Sequence, residues 1–180
     1  MALLQVLKFP HPVLKQEARP VTRFDADLRQ LAESMLETMY EEGGIGLAAN
    51  QVGQLRRLVV MDLRNGEAEG DKPTRPKDQR PREPRSFVNP RVLEASGELV
   101  TEEGCLSVVE FTAEVRRAQR IELEYQTLEG ELRRETLEDL GAVCLQHEID
   151  HLNGKLFIDH LPPLKRQMVK KRLVKLARSA

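Results

Sequence analysis

The chain has 180 residues, enough to bury a real core, and its 40% apolar and 32% charged content is that of an ordinary globular protein. A formal net charge of −1 implies no global electrostatic partner, and no apolar run approaches the roughly 18 residues of a membrane span. Residues 1–6 lead straight into apparent fold, with no signal or transit peptide expected, and two cysteines without a secretory signal favour a reducing compartment, so a cytoplasmic location is expected.

In chain order, the pattern predicts a helix over 25–42 and strands over 57–62, 86–89 and 91–95. Between them, residues 64–85 form a charged, Pro-rich excursion with no assigned function. An apparent strand precedes Cys105, and Ile121, Leu123 and Tyr125 alternate with Glu122, Glu124 and Gln126 over 120–126, as a half-buried strand requires. Residues 131–135 can pair back across Glu129-Gly130, a helix spans 138–152 and ends at Asn153-Gly154, and a basic helix covers 164–180. Helices at both ends of an antiparallel strand region predict an α+β fold.

The stretch His147-Glu148-Ile149-Asp150-His151 carries the strongest chemical signal. At about 100° per residue, the two histidines lie roughly 40° apart on the helix and Glu148 about 60° from His151, so all three serve one surface. Two imidazoles one turn apart hold a divalent metal, and the carboxylate beside them is placed to act as a base toward its water. Ala142, Leu145, Ile149 and Leu152 cluster on nearly the opposite side and would anchor the helix in a core. The competing reading is a surface helix whose histidines and acids are merely solvated.

Catalytic metal sites usually take three protein ligands. The position six residues after the second histidine, where metzincins carry a third, is Phe157, and no glutamate follows Glu148 to serve as in thermolysin-like enzymes. Cysteine remains. Cys144 lies on the site face but roughly 10 Å of helix rise from His151, whereas Cys105 sits in Glu103-Gly104-Cys105-Leu106-Ser107, where a glycine permits close backbone approach. Cys105 is therefore taken as the ligand and Cys144 as pocket wall; two inert buried thiols and a disulfide are the alternatives. A third segment, from Gly43 to Gly53, is glycine-rich and apolar and contains Gln51, whose amide can donate to a developing oxyanion. Such a loop can equally be a simple turn.

These three segments, in this order, resemble the peptide deformylases, which remove the formyl group from the N-terminal formylmethionine of new proteins. Their motifs GφGLAAxQ, EGCLS and QHExDH are matched by Gly44 to Gln51, Glu103 to Ser107 and Gln146 to His151. The resemblance extends to an opening like LxVLxFPxPxL at Leu4 to Leu14 and covers nearly the whole chain. It implies one peptide-deformylase-like catalytic domain over 1–180, with antiparallel sheets packed around a central metal-binding helix.

The resemblance makes Cys105, His147 and His151 the metal ligands and Glu148 the general acid/base. Gln51, through its amide, and Leu106, through its backbone N–H, would polarise the formyl oxygen. Gly46 would contact substrate backbone and Arg117 would meet it further along, while Ile45, Leu140, Val143 and Cys144 would line the methionine pocket. Helix geometry independently puts Cys144 and Leu140 on the histidine face, one and two turns upstream of His147. A metal-bound water would attack the formyl carbon, with formate as product. The ion implied is Fe2+, with Ni2+, Co2+ or Zn2+ as substitutes.

The chain departs from the family pattern at Asn50 and at Val108-Val109, without touching ligands or base. Residues 164–180 hold Lys165, Arg166, Lys170, Lys171, Arg172, Lys175 and Arg178 with no acid, and Met168, Leu173 and Leu176 offer an apolar side. This is either a solvated helix packed by that stripe or a surface for RNA phosphates. The resemblance makes ribosomal RNA the target, with neither membrane nor DNA as partner, and the terminal helix matches the type 1, bacterial-like branch. Two other readings stay open: a metal-dependent amidase or peptidase using the same site, and an RNA-associated protein with a structural metal.

Overall fold

The computed structural model describes residues 2–65 and 81–179, so most of the 64–85 excursion lies outside the described residues. Asp25 caps the first helix, α1 (Ala26–Glu41), by accepting the Leu28 N–H at 3.1 Å. Seven strands follow among the described residues: β1 (Gly46–Ala48), β2 (Leu58–Met61), β3 (Arg85–Ser96), β4 (Leu99–Cys105), β5 (Val108–Arg117), β6 (Arg120–Gln126) and β7 (Leu132–Glu138). They precede α2 (Asp139–Leu152), and α3 (Pro163–Ser179) closes the chain. The fold is α+β, with an antiparallel five-stranded sheet in the order β1-β2-β3-β6-β7 and a separate β4-β5 hairpin.

Strand β2 is buried along its whole length because the sheet is covered on both faces. Its period of two sends Leu58 and Val60 toward α1, against Leu28, Ala32, Met35 and Met39. Val59 and Met61 face the other way and join Phe87, Ile121 and Leu123 against Ala142, Leu145 and Leu152 of α2. Ile149 packs on the same cluster, so the apolar stripe expected of the metal helix is the one that anchors it. A third cluster joins Phe9, Val108, Val115 and Phe157 with Val169 and Leu173 of α3.

Several sequence expectations shift. The two strands expected over 86–89 and 91–95 are one, β3, whose pairing with β6 is irregular between Val88 and Arg91. Pro90 is tolerated there because the irregularity needs no N–H from it, and Asn89, at φ 50°, bonds Val21 and Gln126 instead. The glycine-rich segment is not all loop, since Gly46–Ala48 pairs with Met61 to Val59. On α3 the buried residues are Val169 and Leu173, with Val174 packed beside them, while Met168 and Leu176 are exposed. Helix α2 stops at Asn153, and Gly154 takes φ +73° where a Cβ would lie 2.5 Å from the Lys15 carbonyl oxygen.

Candidate metal centre

Helix α2 and the end of β4 bring the three expected ligands together. The Cys105 Sγ and the ring nitrogens of His147 and His151 lie within 4.8 Å of one another. Cys105 Sγ is 3.3 Å from His151 Nε2, which is 3.2 Å from His147 Nε2. Burial pushes the Cys105 thiol up, but the charges and ring nitrogens of His151 and His147 outweigh it and hold the thiol well below its ordinary value. Both cysteines are free, and burial together with the Glu148 and Glu103 carboxylates pushes Cys144 well up, so it stays a neutral, apolar wall.

Sequence reasoning gave Glu103 no role, yet it organises the centre. Its Oε1 lies 2.8 Å from His147 Nδ1, which directs Nε2 toward Cys105 and His151. Arg117 then grips Glu103 with Nε and Nη2 at 2.8 and 2.9 Å and donates Nη1 to Asp150 at 2.6 Å. Burial resists ionisation of Glu103, but these hydrogen bonds from Arg117 and His147 bring it down to about 2. Arg117 was expected against substrate; its guanidinium is instead buried in this network, and it is not among the residues lining the cavity. An acid two residues before the cysteine on a strand was the available signal.

A cavity of about 420 Å³ opens beside these groups. Ile45, Gly46, Leu140, Val143 and Cys144 line it, together with Gln51, Cys105, Leu106, His147 and Glu148. Leu140 is half-exposed at its rim, whereas Val143 and Cys144 are buried. Gln51 is held rigidly: its Oε1 accepts the Ala48 N–H at 3.0 Å, and its Nε2 donates to Ser107 Oγ at 3.1 Å and lies 3.5 Å from Cys105 Sγ. Glu148 Oε2 is buried with no hydrogen-bond partner among the described residues, and burial raises the acid above its ordinary value despite His147 and His151. A close approach explains Gly46, since a Cβ there would lie 2.8 Å from Glu148 Oε1 and 2.9 Å from Cys144 Sγ.

One thiolate sulfur and two imidazoles within reach of a single point fit one metal ion, and three ligands leave a fourth position open. The orphaned Glu148 oxygen beside the cavity is what a carboxylate kept for proton transfer requires. Fold and site together define a metal-dependent hydrolase. A family model described as polypeptide deformylase matches residues 3–167. The chain belongs to that family. It is 48% identical over 182 residues to a peptide deformylase of Phenylobacterium zucineum, covering 100% of both chains. A peptide deformylase of Alkalilimnicola ehrlichii is 46% identical over 178 residues, covering 99% of this chain and 93% of that one. Among solved structures, the peptide deformylase of Legionella pneumophila superposes with a TM-score of 0.83 at 40% identity, over 98% of this chain and 96% of that one. That of Ehrlichia chaffeensis gives 0.85 at 32% identity, over 99% and 98%.

Proposed function

We propose that this chain hydrolyses the formyl group from formylmethionyl nascent peptides, releasing formate and a free methionyl amine. The observation that carries the reading is the meeting of Cys105, His147 and His151 donor atoms within 4.8 Å beside a cavity lined by Cys105, His147 and Glu148. Those three side chains would hold the ion. When bound, it supplies Lewis acidity, lowering the pKa of a water and polarising the formyl carbonyl.

The chain's own residues do the rest. Glu148 takes a proton from the attacking water and passes it to the leaving amine, a task suited to a buried carboxylate whose pKa is raised. Gln51 Nε2 and the Leu106 N–H hold the formyl oxygen as negative charge develops. Ile45, Leu140, Val143 and Cys144 enclose the methionine side chain, and Gly46 lets substrate backbone pass close to Glu148. Arg117, through Glu103, holds His147 in position rather than touching substrate. The test is formate release from formyl-Met-Ala beside acetyl-Met-Ala. Turnover of the first alone supports the reading, and equal cleavage of both, or of an unmodified peptide, overturns it.

The resident ion is Fe2+, as membership of the family implies, the Cys/His/His donor set by itself admitting Zn2+ as well; anaerobic purification with metal analysis tests this. The whole of 1–180 works as one catalytic domain in the cytoplasm, serving protein biosynthesis. No helix among the described residues is long and apolar enough to cross a membrane. Residues 164–180 give α3 a weak, salt-sensitive contact with ribosomal RNA: Lys165, Lys171, Arg172, Lys175 and Arg178 stand without an acid on the helix. Pelleting with ribosomes that survives deletion of 164–180 unchanged would overturn that contact.

A further inference from the structure

Three consecutive residues near the N-terminus tie together the two loops that carry Gln51 and Leu106. The Leu7 N–H donates to the Gln51 carbonyl at 2.7 Å, the Lys8 ammonium to the Leu106 carbonyl at 2.5 Å, and the Phe9 N–H to the Ser107 carbonyl at 2.8 Å. The two loops belong to different sheets. Gln51 follows β1 of the five-stranded sheet, and Leu106 lies in the turn between β4 and β5. The strap is anchored on both sides, because Val6 is buried in the cluster under α1 and Phe9 in the cluster under α3. Of its three bonds, the two from backbone N–H groups are open to almost any sequence, and only that of Lys8 depends on its side chain.

We infer that Lys8 is a positioning residue for deformylation: by clamping the Leu106 carbonyl it restrains that residue's backbone, and with it the Leu106 N–H on the other side of the Cα, relative to the Gln51 amide across the gap between the sheets. The inference rests on the reading of those two groups as oxyanion donors. Lys8 is exposed, so its bond adds little to folding in water. Its value lies in preorganisation, since a donor displaced by a fraction of an ångström loses much of its hold on transition-state charge while binding ground-state substrate nearly as well.

The experiment compares metal-loaded wild type, Lys8→Met and Lys8→Arg for turnover of formyl-Met-Ala. Removal of a whole oxyanion donor costs roughly 100- to 1,000-fold in kcat, so partial misplacement in Lys8→Met is expected to cost about 3- to 10-fold. KM should stay within about twofold, with metal content and thermal midpoint unchanged, and Lys8→Arg should recover most of the lost kcat. An unchanged kcat in Lys8→Met, an equal loss in Lys8→Arg, a change confined to KM, or a loss that only tracks missing metal would each overturn the inference. Wild type that releases no formate would sink the proposed function itself, and the two failures are therefore distinct.

Discussion

Glu103 and His147 meet at 2.8 Å, so the strand that delivers Cys105 also orients a second metal donor. Glu103→Gln removes the charge that fixes the His147 ring and leaves the buried Arg117 guanidinium with Asp150 as its remaining carboxylate. Metal affinity should fall about 10- to 100-fold, the usual effect of losing such an orienting partner. Stability should fall by about 2 kcal/mol as a buried charge loses a partner. Chelator competition and urea unfolding read the two effects, and unchanged affinity would refute the orienting role.

Glu148 has the opposite profile, a buried acid with one oxygen unpartnered among the described residues. Glu148→Gln should retain metal and lose turnover by about 100- to 10,000-fold, the range for removing a positioned general base. Burial raises its pKa, so whatever stability the group contributes is present in the protonated form and lost as pH rises through the folded value. The thermal midpoint of Glu148→Gln at pH 7 should therefore be no lower than that of wild type. A melting loss comparable to the activity loss would assign Glu148 a structural task instead.

The helix that carries the chemistry was legible in the sequence because two periodicities coexist on it. His147 and His151 repeat at one turn, and Ala142, Leu145, Ile149 and Leu152 mark the buried side. Strand β6 was equally legible, its bounds set by clean alternation. Arg117 was not, because a sequence names an arginine without naming its partners, and the two carboxylates that hold it lie 14 and 33 residues away. Pro90 concealed the continuity of β3 for a similar reason. Whether a proline breaks a strand depends on pairing at that position, which local sequence does not carry.

Gly46 faces Glu148 and Cys144 at distances a methyl group cannot share. Gly46→Ala should push the carboxylate and narrow the cavity wall, lowering kcat/KM by roughly tenfold or more while metal content holds. Steady-state kinetics with metal analysis on the same preparation checks this. Normal kcat/KM would mean that the segment around Gly46 has room to move away from α2.

Asp159 joins the last helix to the turn after the metal helix. It accepts the Leu156 N–H at 2.8 Å and the Lys170 ammonium at 2.8 Å. Burial pushes its carboxyl up, but those two donors prevail and hold it below its ordinary value. A depressed folded pKa means that the stabilisation is fully present above the unfolded value, near 3.9, and is lost as pH falls through the folded one. Asp159→Asn should thus cost about 1 kcal/mol at pH 7, with the gap from wild type closing as the pH is lowered below about 4. Urea midpoints measured across that range decide it. A gap that stays constant into acid would show that the ionised carboxylate is not what secures α3.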